Sequence, residues 1–151
     1  MAKVFDFKKL RIFIKIFGVV QLLLIGLLVY MAFIFQALLP KGFNFSVLAT
    51  LVIQIALFYP VYRFAVREAT RDIESSAVGL TGDELKKFRT SRMISDTCKW
   101  AYFIFYAIFA YKAPNEIKQV LCIMVFSFIL TTLTYFQCYN FVAKRLMKEK
   151  S

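Results

Sequence analysis

The sequence predicts an all-α integral membrane protein, a four-helix bundle whose spans two and three extend into a cytoplasmic helical hairpin. Three observations predict it. Stretches 16–40, 42–62, 100–111 and 119–143 carry no charged residue. With those stretches in the bilayer and the N-terminus inside, every one of the 20 Lys and Arg residues except Lys41, Lys112 and Lys118 falls on one side. That bias is what the positive-inside rule demands. The chain is also 60% hydrophobic with a mean hydropathy of +0.65, and a soluble domain of this size would expose too much apolar surface to water.

The elements follow in order. Residues 1–15 read as a basic helix lying in the inner interface. Lys8, Arg11 and Lys15 form one stripe, and Phe7, Leu10, Phe13 and Ile14 lie on roughly the opposite face. Span one covers about 16–38. Its apolar run is longer than the ~20 residues a crossing needs, and no small-residue cleavage site follows it, so it reads as an uncleaved first span. Pro40, Lys41 and Gly42 make a tight outer turn. Span two returns over about 45–63. Pro60 falls near its inner end and predicts a kink there, because proline lacks an amide N–H and crowds the preceding turn.

The polar segment 64–92 reads as a helical hairpin. Gly79 is placed to end its first helix. Thr81 and Glu84 have the spacing of a capping box that starts the second, and Asp83 and Glu84 suit the positive end of the new helix dipole. A turn centred near Leu80–Thr81 pairs Glu74 with Lys87, Asp72 with Arg89, Ile73 with Phe88 and Glu68 with Arg92. Opposite charges then meet along the hairpin. Each exposed pair contributes only about 0–1 kcal/mol, so their value lies in register.

Span three is assigned to about 93–112. Only 100–111 is free of charge, so a full crossing takes in Asp96 and Lys99. Lys99 can snorkel to the inner surface, while Asp96 needs a cation. A three-span alternative makes 100–111 interfacial and puts Lys144, Arg145, Lys148 and Lys150 outside, which weakens the charge bias. Residues 112–118, with Pro114, form the second outer loop. Span four runs over about 117–142 and ends in a basic tail.

Composition also excludes chemistry. The formal charge of +11 would suit nucleic acid, but the basic residues flank spans on one side, where anionic lipid attracts them. The predicted partner is therefore the lipid bilayer and not nucleic acid. The chain has no His, which removes His-ligated haem or metal and a His general base. Cys98, Cys122 and Cys138 offer no outer pair for a disulfide and no metal-site spacing. No paired carboxylates, phosphate loop or nucleophile elbow appears, so no catalytic residue, cofactor or metal is assigned.

Four groups remain as candidate sites. Asp96 and Lys99, with Arg63, Arg67 and Arg92 in reach, make an intramembrane ion pair or gate, or a structural pair at the inner boundary where water still enters. Thr131, Thr134, Tyr135 and Gln137 make the inner half of span four polar. They line an aqueous path or hydrogen-bond between helices. Trp100, Tyr102, Tyr106 and Phe109 form an aromatic groove for a flat ligand, or a packing surface with an interfacial belt. Pro60 is the candidate kink.

The function expected from these features is a non-enzymatic membrane subunit, scaffold or sensor. It would act through oligomerisation as a homo-oligomer or complex subunit, with 64–92 docking a cytoplasmic protein. The alternative is a homo-oligomeric channel or membrane-permeabilising effector. A small transporter or a lipid- or quinone-binding subunit is third. Short outer loops fit a bacterial inner membrane with both ends in the cytoplasm.

Overall fold

The computed structural model describes residues 3–112 and 118–151. Four α-helices account for nearly all of them: α1 Lys8–Leu38, α2 Phe43–Ser75, α3 Gly82–Lys112 and α4 Lys118–Lys150. Helices α1, α2 and α4 are each long and apolar enough to cross a membrane. α3 lacks the sustained apolar window the others have, because its first half is polar and Asp96 and Lys99 fall at its middle. At 31 to 33 residues, each helix is roughly 46–50 Å long, well beyond the ~30 Å hydrocarbon layer. The expected outer loop around Pro114 lies outside the described residues.

Local chemistry sets the helix ends. Asp6 accepts a hydrogen bond at 3.1 Å from the Lys8 amide at the start of α1, one of the donors a helix N-terminus leaves without an intrahelical partner. α1 closes with the Leu39 amide donating to Phe35 O, immediately before Pro40. α2 stays α-helical on both sides of Pro60. The hydroxyls of Ser75 and Ser76 donate to Asp72 O at 2.9 and 2.8 Å where α2 ends. Gly79 then takes φ +81, a left-handed conformation that glycine adopts without the Cβ penalty. The Thr81 amide donates to Glu84 Oε2 at 3.0 Å, and the Glu84 amide donates back to Thr81 Oγ1 at 3.3 Å. Two otherwise orphaned donors are thus satisfied reciprocally at the start of α3.

Helices α2 and α4 form the spine of the bundle. They run parallel and approach closely through Ala65, Ala69 and Ala143, all fully buried. Small residues permit such close backbone approach between membrane helices. Ile73, Tyr139 and Val142 complete this inner core, together with Phe7, Leu10 and Ile14 at the start of α1. A second core at the other end holds Phe35, Cys122 and Phe126. No residue of α3 is buried among those described.

The interfacial helix expected over 1–15 is not a separate element. Residues 8–15 are the first turns of α1, and residues 3–7 lie outside it, with an antiparallel bridge joining Phe5 to Ala77. The Asp6 amide donates to Ser76 O at 2.9 Å, and the Val78 amide donates to Val4 O at 2.7 Å. The reason is burial. Leu10 and Ile14 go into the core between helices instead of into lipid headgroups. The Lys150 ammonium sits 4.9 Å over the Phe5 ring. Both described ends and the α2–α3 turn therefore meet at one end of the bundle.

The hairpin register also differs from the mirror-image pairing. Asp72 pairs with Arg92 at 3.4 Å, and Glu68 pairs with Lys99 at 2.8 Å. Among the described residues, neither Glu74–Lys87 nor Asp72–Arg89 forms a salt bridge. The Ile73 side chain packs with α1 and α4, not against Phe88. With that face of α2 committed to the core, α3 is held off by a cleft, and the acids of α2 meet only long cations further along α3.

Candidate functional site: a charge clasp and the cleft beside it

Two acids and an arginine stand on one side of α2 just past its apolar half. Glu68 is 3% exposed and Arg71 is 9% exposed. Asp72 is partly buried. The Arg71 guanidinium reaches Asp72 Oδ1 at 3.0 Å and Glu68 Oε1 at 3.3 Å. It also donates to Ser95 Oγ at 2.9 Å across the gap to α3. Lys99 on α3 reaches Glu68 Oε2 at 2.8 Å. From α4, the Tyr135 and Tyr139 hydroxyls donate to Glu68 and Asp72. The spacing explains the fit. Glu68 and Asp72 are four apart on α2, and Tyr135 and Tyr139 are four apart on α4, so each pair shares a helix face.

Burial pushes the Glu68 carboxyl up, but the hydrogen bonds from Lys99 and Tyr135 outweigh it and hold the group below its ordinary value. Burial likewise lowers Arg71, and the neighbouring Asp72 and Glu68 carboxylates outweigh that and leave it raised. Both groups are therefore charged at neutral pH. Replacing a buried ion pair with apolar residues is often neutral, while breaking one is costly. The clasp thus specifies where α3 stands more than it adds net stability. Lys99 and Tyr135 both turn on Glu68 Oε2, while Oε1 faces the Arg71 guanidinium at 3.3 Å.

The expected cluster around Asp96 is arranged differently. Asp96 is exposed and lies 4.0 Å from Lys99, so it is the outer, weaker partner of a lysine whose main contact is Glu68. Arg92 joins through Asp72. Arg63 stacks over the Tyr59 ring at 5.7 Å. Arg67 lines the cleft. Glu68, not Asp96, is the centre of the site, and it is missing from the candidate site residues read from the sequence; the i, i+4 spacing it shares with Asp72, matched by Tyr135 and Tyr139, is visible only once α2 and α4 are known to be neighbours.

The polar residues of α4 do not share one surface. Thr131 donates to Gln54 Oε1 at 3.2 Å, and Gln54 Nε2 donates to Thr134 Oγ1 at 3.0 Å. One glutamine on α2 thus clasps two threonines, while Gln137 faces outward. The aromatic group is divided too. Tyr102 donates to Phe128 O at 3.2 Å, and the Tyr106 and Ser127 hydroxyls are 3.1 Å apart. These contacts fix the second half of α3 on α4. Trp100 is 69% exposed, and Phe109 is also exposed.

The cleft lies between the end of α2 and the first half of α3, with a volume of about 690 Å³. Phe64, Ile94 and Cys98 line it toward the apolar halves of the helices, and Arg67, Lys86 and Lys87 supply its cations. A smaller apolar groove of about 320 Å³ runs among α1, α3 and α4, lined by Leu27, Met31, Phe103 and Phe128. Searches with this chain match no protein-family model, no curated protein and no solved structure.

Proposed function

We propose that the chain is a non-enzymatic subunit or scaffold of a bacterial inner membrane, crossing four times with both described ends in the cytoplasm, and working through assembly with α3 as its docking element. The observation that carries this reading is the state of α3. This helix has 31 residues and no buried side chain, yet the clasp at Glu68 and the two tyrosines at α4 hold it in place. A helix set in place by these few polar contacts, with so little of it covered, suits a surface kept for a partner. Its outward stripe runs through Leu85, Arg89, Met93 and Trp100, at helical spacing, and Leu85, Met93 and Trp100 are all more than half exposed. Aromatic residues, Met and Arg are the types enriched at protein interfaces.

Native mass spectrometry of the protein extracted from its own membrane in mild detergent tests this. The expected result is a complex heavier than the 17.6 kDa chain. A variant carrying Leu85→Ala, Arg89→Ala and Met93→Ala should collapse to the single chain with unchanged helical content. A wild-type chain extracted alone, or a variant that keeps its companions, overturns the proposal.

A further inference from the structure

We propose that the outward stripe of α3 docks on the outer face of α2 in a second copy of this chain, so that copies associate face to back. This rests on the reading of that stripe as the docking surface and names its partner. On α3 the stripe runs through Leu85, Arg89, Met93, Asp96 and Trp100 at helical spacing. On α2, Tyr59, Arg63, Arg67, Thr70 and Glu74 recur at the same spacing, on the side turned away from Ala65, Ala69 and Ile73, which pack into the core. All of these stripe residues are exposed except Thr70, which is partly buried. Their charges find little to meet within one copy. Among the described residues Arg67, Glu74 and Arg89 form no salt bridge, unlike Arg71, Arg92 and Lys99 close by. Arg63 stacks on the Tyr59 ring of its own helix, and Asp96 has only Lys99 at 4.0 Å.

The bilayer fixes the register of any such contact. Copies inserted with the same topology lie at the same depth. Within one copy, the contacts Glu68–Lys99, Arg71–Ser95 and Asp72–Arg92 set Arg67 level with Cys98 and Glu74 level with Ser91. α2 of the next copy therefore meets α3 antiparallel and at those same levels. Asp96 then stands two residues, ~3 Å of helix rise, from the level of Arg67 of the next copy. Arg89 stands the same short step from the level of its Glu74. Acid meets base at both places, within reach of an arginine side chain. Continued along the helices, this register brings Trp100 opposite Arg63, where an indole face can hold a guanidinium. It also brings Ala107 opposite Ala56, both exposed, and small residues let membrane helices approach closely. Pairing α3 with α3 about an axis along the membrane normal would instead set Arg89 on Arg89 and Asp96 on Asp96, and like charges in contact select against a partner. Because two different faces meet, the contact repeats from copy to copy into a ring or a row.

The test uses two full-length variants with different affinity tags, expressed alone and together, and native mass spectrometry in mild detergent. Asp96→Arg sets an arginine against Arg67 at every contact. Arg67→Asp sets an aspartate against Asp96. Each variant alone should lose the multiples of the 17.6 kDa chain that the wild type shows. Expressed together, they should recover those multiples with both tags in one assembly, because every contact then pairs Arg with Asp. Recovery also shows that both variants fold. Lys87→Glu, in the cleft, should leave assembly unchanged. Independently, in a background without the native cysteines, Met93→Cys in one copy should form a disulfide with Thr70→Cys in another under mild oxidation in the membrane. Wild type extracted with other proteins but one copy of this chain overturns this proposal and leaves docking through α3 standing. Wild type extracted alone overturns both. A variant that keeps its multiples on its own overturns the proposal, as does a mixture that stays single, a Lys87→Glu chain that loses assembly equally, or the absence of the disulfide.

Discussion

Lys99 Nζ lies 2.8 Å from Glu68 Oε2, joining a half-buried cation on α3 to a carboxylate on α2 that is 3% exposed. This contact ties the least buried helix to the most buried acid. Lys99→Met leaves Glu68 with Arg71 as its one remaining cation and should destabilise the protein by about 1–3 kcal/mol, the cost of leaving a buried polar group under-satisfied. The double variant Glu68→Gln with Lys99→Met should lose less than the two single losses together, because the groups are coupled. Thermal unfolding in detergent, followed by helical circular dichroism, measures both.

The same carboxylate makes stability depend on pH. Its folded value is depressed below the ordinary 4.5, so the unfolded chain takes up a proton before the folded one does. The stabilisation is therefore whole above 4.5 and is lost as pH falls from there through the folded value. The gap in melting temperature between wild type and Glu68→Gln should be constant near neutrality and shrink below 4.5. A gap that widens on acidification would contradict the geometry of the clasp.

Gly79 takes φ +81, and a Cβ there would meet nothing within 4 Å. The cost of Gly79→Ala is then purely conformational, about 1–2 kcal/mol. Gly82→Ala, in equally open space but within α3, should be neutral or mildly stabilising. Denaturation of the two variants side by side separates backbone conformation from packing.

Gln54 bonds Thr131 and Thr134 at 3.2 and 3.0 Å. Gln54→Leu should cost about 1–2 kcal/mol, from two interhelical bonds worth ~0.6 kcal/mol or more each. If these threonines lined an aqueous path instead, the substitution would alter ion flux in planar bilayers while leaving the melting temperature unchanged.

The four helices were legible because their boundaries rest on local chemistry. Pro40 and Gly42 mark one turn, and Gly79, Thr81 and Glu84 mark another, each within a few residues of sequence. The register of the hairpin was not legible. Mirror-image pairing treats α2 and α3 as an isolated pair, whereas the face of α2 carrying Ala65, Ala69 and Ile73 is taken by α1 and α4. The N-terminal segment shows the same effect. Its apolar stripe was visible, but Leu10 and Ile14 face protein, and an amphipathic pattern alone does not distinguish a protein neighbour from a headgroup layer. Glu68 was hidden as a centre because its partners Tyr135 and Lys99 come from two other helices, remote in sequence.

The account stands or falls on how the chain is threaded. Single cysteines at Lys41, Leu80 and Lys112, in a background where Cys98, Cys122 and Cys138 are replaced, should be probed with a membrane-impermeant maleimide on intact and lysed cells. Residues 41 and 112 should label in intact cells, and residue 80 only after lysis. Labelling of residue 80 from outside, or of residue 112 only from within, would contradict a four-pass bundle whose hairpin lies in the cytoplasm.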